Sequence, residues 1–337
     1  MVVLGLVVGS ILIALVYWLI THGHFQFQRH QYIEADSNEV YKEIANLATW
    51  PSWCVWRSYD PDADIQLDYF DSQSISASSL IIESNKIAPT SVQRQSEDEV
   101  EQVATFLIDS PSLYWQSFTI YAHLTQRSHN TLITFDVEGK IPFFRRHLLQ
   151  KHLSHITLDI ELSLISLKNR MERKIQHRSS ITFELEGCQR LDTLDAVIRP
   201  FEATEQSISQ VMEIGFHELF VALGPENPPT GGCFAIYTKA DLSTHSFTGK
   251  LGVPVQRLTD CNLHPECIRF SSHYLQLRYH GPYKHLYLAW RVLNVQATIN
   301  GYRYNRSKPA LELYEVGPKD ADDEDMFVTI LSLPIKS

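Results

Sequence analysis

The run Ala310-Leu311-Glu312-Leu313-Tyr314 holds the residue of this chain best placed to do chemistry. Strand side chains alternate between faces, so Ala310, Glu312 and Tyr314 share one face while Leu311 and Leu313 point to the other. With the leucines packed beneath helices, Glu312 faces a groove beside Tyr314. A carboxylate in a partly dry aromatic groove attracts a lipophilic cation through charge and cation–π contact, the latter worth about 0.5–2 kcal/mol per ring. The same carboxyl, with its pKa raised by burial, could instead work as a general acid or base. Trp290, Tyr283, Tyr302 and Tyr304 are candidate walls of the groove, although Tyr302 and Tyr304 alternate with Arg303 and could equally be edge residues.

Other clusters read more simply. Trp50, Trp53 and Trp56 lie where a helix meets a sheet and are expected to pack, with the rim of a cavity as the alternative. His147, Lys151 and His155 recur at helical spacing near Arg145 and Arg146, but with no acidic partner they make a poor metal site, and a solvated face fits them better. The acidic run Asp320–Asp325 lacks the alternating ligands, glycine and distal glutamate of a calcium loop. No GxSxG elbow, HExxH, P-loop or GxGxxG occurs in the chain. No catalytic residue, cofactor or metal is therefore assigned.

The elements that must position Glu312 are written twice. The first copy runs through an extended segment from Asp192 to Phe201, an amphipathic stretch Glu205–Leu223, a Pro/Gly turn, a strand ending at Tyr237, and a strand ending Val253-Pro254-Val255. The second runs through Ile268–His280, Gly281–Asn300, a turn at Lys308-Pro309, Ala310–Tyr314, and a strand ending Leu333-Pro334-Ile335. Aligning the terminal tyrosines makes Ala235 the counterpart of Glu312 and Tyr237 that of Tyr314. A pair of βαββ units is expected to share a groove with two aromatic walls and a single acid.

The chain has 337 residues, 44% of them hydrophobic and 20% charged, enough for two packed domains. Its net charge of −10 argues against coating nucleic acid, and no nucleic-acid partner is expected. Val2–Ile20 is uncharged, apolar and long enough to span a bilayer. It lacks the basic start and small-residue cleavage site of a secretory signal, so an uncleaved anchor over residues 1–22 is expected, with Tyr17 and Trp18 at the interface. Gly5 and Gly9 could pack two such helices, although two glycines in an apolar helix need no such role. Arg29 and Lys42 follow the span and point to a cytoplasmic body, which makes the chain a single-pass membrane protein. The five cysteines form no CxxC pair and read as isolated thiols, with Cys261 and Cys267 alone close enough for a local bridge.

Between the anchor and the duplication, Phe25–Ile33 alternates like a strand and Asp36-Ser37 caps a helix over Asn38–Leu47. The segment Trp50-Pro51-Ser52-Trp53-Cys54-Val55-Trp56 follows, then several strand-like runs, then a long helical pattern from about Phe143 to Arg173. This order, with its WPxWxxW segment, resembles the START-related polyketide cyclase family, also called SRPBCC, over residues 25–175. The resemblance implies a helix-grip fold with a hydrophobic pocket. No glycine stands between Gly23 and Gly139, where such sheets usually carry a few at bends.

His280-Gly281-Pro282-Tyr283, Trp290, Leu311-Glu312-Leu313-Tyr314 and Leu333-Pro334-Ile335 together resemble the GyrI-like effector-binding domain, over residues 192–337. That domain also forms the ligand-sensing part of AraC-type and MerR-type regulators. The resemblance implies that the strand acid, here Glu312, contacts ligand, with Tyr314, Tyr237, Trp290 and Tyr283 around it. The expected fold class is α+β: a transmembrane helix, a helix-grip START-like domain, then a duplicated βαββ GyrI-like domain. The expected function is membrane-anchored sensing or sequestration of bulky hydrophobic or amphipathic small molecules, cationic ones at the second domain. Two rivals stay open. One is a hydrolase or cyclase for reactive hydrophobic natural products with Glu312 as general acid/base, and the other an inhibitor that binds an unidentified protein partner, like the family's gyrase inhibitor.

Overall fold

A computed structural model of the chain describes residues 23–69, 76–86, 88–111, 117–128, 130–141, 147, 149–176, 181–204, 206–225, 227–241, 246–256 and 265–336. The apolar N-terminal run with Gly5, Gly9, Tyr17 and Trp18 lies outside these, as do Arg145, Arg146 and Cys261. Among the described residues no helix is long and apolar enough to cross a membrane. The chain divides into two compact units, Met1–Arg178 and Ser179–Ser337. Each combines antiparallel sheet with a few helices.

In the first unit, β1 (His24–Ile33) leads to α1 (Ser37–Ala45), a 3-10 segment at Leu47–Ser52 and α2 (Val55–Tyr59). Asp36 caps α1 by accepting from the Asn38 N–H at 2.9 Å, and the helical spacing of Val40 and Ile44 buries both completely. Six strands follow: β2 (Asp64–Tyr69), β3 (Ala77–Glu83), β4 (Thr90–Asp98), β5 (Val103–Asp109), β6 (Ser117–Gln126) and β7 (Thr131–Lys140). They form a seven-stranded sheet in the order β1-β7-β6-β5-β4-β3-β2. Alternation puts Thr131, Ile133, Phe135 and Val137 of β7 inward. Bends fall at register shifts between Asp68 and Tyr69 and between Arg94 and Ser96, so bulges stand in for the missing glycines. The long α3 (Leu149–Gln176) packs on β1 and α2. It buries Ile156, Ile160, Leu164, Leu167 and Met171, a stripe at helical spacing.

The tryptophans are core. Trp50 is buried, donates to the Ile44 carbonyl at 2.7 Å and packs on Phe106 with ring centroids 4.8 Å apart. Trp53 and Trp56 are buried beside it. His147 and Lys151 are exposed, but His155 is half-buried, so the expected solvated face holds only in part.

In the second unit, β8 (Thr182–Thr204) precedes α4 (Ile208–Leu223), β9 (Cys233–Asp241) and β10 (Ser246–Pro254). The second copy is β11 (Pro265–His280), α5 (Leu286–Ile299), β12 (Ala310–Val316) and β13 (Val328–Ile335). The six strands close into a ring, β10-β8-β11-β13-β12-β9. The ring reads the same when the copies are exchanged, so a pseudo-two-fold axis runs through it. On the β9/β12 side the register pairs Ala235 with Glu312, Tyr237 with Ala310 and Cys233 with Tyr314. The two aligned positions, 235 and 312, therefore face each other across the axis.

The alternation of β12 is as expected, but its faces are exchanged. Leu311 joins Phe234, Ile236, Ala196 and Tyr274 in a cluster made of strand residues, with Leu313 packed against it. Glu312 and Tyr314 lie instead on the face that carries the helices, among Val197, Leu219, Ala235 and Leu251. The reason is ring closure. A closed ring has an inside of its own to fill, and that inside takes the leucines.

Where β9 and β10 cross, Gly249 admits no side chain, because a Cβ would run into the Ile236 carbonyl and lie 2.7 Å from the Phe201 ring. Gly249→Ala should therefore lower the stability of the second unit by about 2–3 kcal/mol, read by urea unfolding. A loss below about 0.5 kcal/mol would show that the two strands do not meet so closely.

Candidate functional site

Glu312 is 3% exposed. Its Oε2 accepts from the Tyr314 hydroxyl at 2.6 Å and from the Tyr237 hydroxyl at 2.9 Å. Its Oε1 accepts from the Trp290 indole N–H at 2.6 Å. The two phenols are the aligned positions of the two copies, so symmetry-related tyrosines converge on one oxygen at the axis. Short distances of this kind mark hydrogen bonds to a charged acceptor.

A second layer of rings surrounds these donors. Tyr283 meets Tyr314 edge-on with centroids 5.4 Å apart, and Phe327 backs Tyr283 at 4.9 Å. Phe216 meets Tyr314 at 5.9 Å, and Phe201 meets Tyr237 at 5.8 Å, both in T-shaped geometry. The Tyr314 hydroxyl also lies 3.9 Å from the Met212 sulfur. The side chains around Glu312 thus come from β8, β9, β12, α4, α5, the Tyr283 turn and Phe327.

All five residues singled out from sequence meet here: Glu312, Tyr314, Tyr237 and Trp290 by hydrogen bonds, Tyr283 by ring contact. The solvated strand glutamate that would have removed Glu312 from consideration is not what the fold builds. Tyr302 and Tyr304 do not join; they are 38% and 45% exposed, and Tyr304 bridges to Ile335 at the sheet edge. Met212 and Phe216 are the residues that the sequence reading passed over. Their signal was the apolar spacing Met212, Phe216, Leu219, Leu223 along α4.

Burial raises the Glu312 carboxyl above the ordinary 4.5, while the bonds from Tyr314, Trp290 and Tyr237 pull it back down. Burial also pushes Tyr237 and Tyr314 well above 10, and the Glu312 charge adds to both. Tyr283 is raised as well, first by burial. The phenols are therefore neutral donors at physiological pH. Among the described residues Glu312 has no ion pair, and no group of three or more His, Cys, Asp or Glu could hold a metal.

No protein-family profile matches the chain, and no curated protein sequence does. Among solved structures, the EcmrR C-terminal domain is similar at 18% identity over 47% of this chain and 98% of that one, with a TM-score of 0.39. SAV2435 bound to tetraphenylphosphonium is similar at 16% identity over 46% of this chain and 94% of that one, with a TM-score of 0.36. The Zhui aromatase/cyclase from Streptomyces sp. R1128 is similar at 9% identity over 45% and 96%, with a TM-score of 0.34. At such scores the site must be read from its own geometry.

The raised carboxyl has a consequence for stability. The folded chain keeps this proton to higher pH than the unfolded chain, so the contribution of Glu312 to stability is greatest below the ordinary value of 4.5 and falls as pH rises through the raised value. Glu312→Gln removes that loss. Urea unfolding between about pH 4 and 8 should show the variant gaining on the parent as pH rises. A flat difference would mean that Glu312 is not the titrating group.

Proposed function

We propose that the second unit binds bulky lipophilic cations, with Glu312 as counter-charge and Tyr237, Tyr314, Trp290 and Tyr283 as the aromatic surround. One observation carries the reading: a buried carboxylate held by three neutral donors and, among the described residues, by no cation. Burying a charge without an opposite charge is expensive, and a cationic ligand supplies what the fold leaves out. Rings stacked two deep add cation–π attraction and exclude water. The apolar Val2–Ile20 run, read as an anchor, would hold this site near a bilayer, where amphipathic cations gather. The chain would then sense or sequester such molecules.

A catalytic reading uses the same carboxyl as a general acid and draws on its raised pKa. The test separates the two. Calorimetric titration of the full chain with tetraphenylphosphonium and with neutral triphenylphosphine oxide should show Glu312→Gln losing about tenfold or more in affinity for the cation. Affinity for the neutral compound should hold within about twofold. Equal cation binding by both chains would sink the counter-charge role; intact binding with lost turnover of a substrate would favour catalysis.

Because only the ionised carboxyl attracts the ligand, cation affinity should rise with pH through the raised Glu312 pKa and then level off. Below that value binding should release a proton, read as a dependence of the binding heat on the buffer's ionisation heat. A pH-independent affinity with no proton release would contradict the assignment.

A further inference from the structure

We propose that Lys319 is a resident cation on the aromatic wall of the Glu312 chamber and sets which cations the chamber admits. This rests on the cation-binding reading above. Lys319 Nζ lies 2.8 Å from the centroid of the Phe220 ring. Phe220 packs against the same apolar cluster as Tyr314, together with Cys233 and Tyr283. Cys233 is the cross-strand neighbour of Tyr314. Its thiol, pushed up to about 11 by burial, is drawn back by the Lys319 charge, so the ammonium reaches this end of the chamber.

The turn that presents Lys319 is tightly held. The Gly317 N–H donates to Asp320 Oδ2 at 3.0 Å, and the Gly317 carbonyl accepts from the Asp320 and Ala321 N–H groups at 2.9 and 3.1 Å. A Cβ at Gly317 would stand 2.8 Å from the Tyr283 hydroxyl, so the turn is pressed against the ring that meets Tyr314. Lys319 is exposed, and among the described residues it makes no ion pair. What holds its ammonium at Phe220 is the attraction of a charge to a ring face.

The chemistry of that contact is selective. A primary ammonium is compact and strongly hydrated, so Lys319 returns to water from the ring at little loss. A quaternary or charge-delocalised cation is poorly hydrated and covers more ring, and it displaces the lysine. A second primary amine is the chemical equal of Lys319 and gains nothing by the exchange. The chamber thus favours bulky, poorly hydrated cations over primary amines of similar size.

The test is calorimetric titration of the full chain, as parent, Lys319→Met, Lys319→Arg and Glu312→Gln, with tetraphenylphosphonium and with triphenylphosphine oxide. Lys319→Met should tighten phosphonium binding by about two- to fivefold and leave the oxide unchanged, while Lys319→Arg binds like the parent. Equal tightening toward both compounds would make Lys319 a steric cover and overturn the proposal. Unchanged or weaker phosphonium binding by Lys319→Met, with Glu312→Gln still deficient, would overturn it and leave the site standing. Failure of both parent and Lys319→Met to bind phosphonium would overturn the site and this inference together.

Discussion

The second unit depends on one buried carboxyl at its axis of internal symmetry. Two strands from equivalent copies pair so that position 235 faces position 312. Directly opposed strand residues have Cβ atoms about 4.5–5.5 Å apart. Two glutamates there would repel at a distance where burial prevents screening, and one would have to keep its proton. The duplication tolerates an acid at this place only if the other copy declines one, and Ala235 does so. Once the acid is single, the two-fold arrangement works in its favour, because Tyr237 and Tyr314 reach the same oxygen from opposite sides.

Symmetry is broken again on the helices. Met212 and Trp290 each stand four residues after the first residue of their helix. Trp290 donates to Glu312, whereas Met212 lays its sulfur near the Tyr314 hydroxyl. One side of the chamber is therefore a rigid, directional donor and the other a flexible thioether that adapts to shape. The ring of strands beneath is closed and filled by its own cluster.

Much of this was legible in the chain, and what was not has physical causes. Period-two alternation correctly grouped Glu312 with Tyr314, and the duplication correctly made Tyr237 its partner. The choice of face went the other way, because alternation says which residues share a side and not which side is dry. That depends on ring closure, which is set by the β8/β11 and β9/β12 pairings between residues far apart in sequence. The start of β8 was hidden for a different reason. Between Thr182 and Arg190 only Phe183 and Leu185 mark one face, the run from Gly187 breaks the alternation and no residue is buried, yet the backbone still pairs with β11. The tryptophans of the first unit show the converse: the clustered rings at the helix–sheet junction are buried packing, and Trp50 also donates its indole N–H to the Ile44 carbonyl.

The first unit also supplies an internal comparison for Glu312. Three of its buried acids are matched by cations, Glu43 by Arg170 at 2.6 Å, Asp60 by Lys86 at 3.4 Å and Glu172 by Lys168 at 3.7 Å, while Asp159 accepts from the Tyr59 hydroxyl at 2.5 Å. Those pairs are complete, and a charge neutralised from within has little attraction left for a visitor. Glu312 is as deeply placed but is met by a phenol pair and an indole, which stabilise negative charge without cancelling it. An arginine in the place of Trp290 would bury the acid more comfortably and would close the site to cations. The chain uses neutral donors at this acid, and Lys319 lies on the Phe220 ring instead.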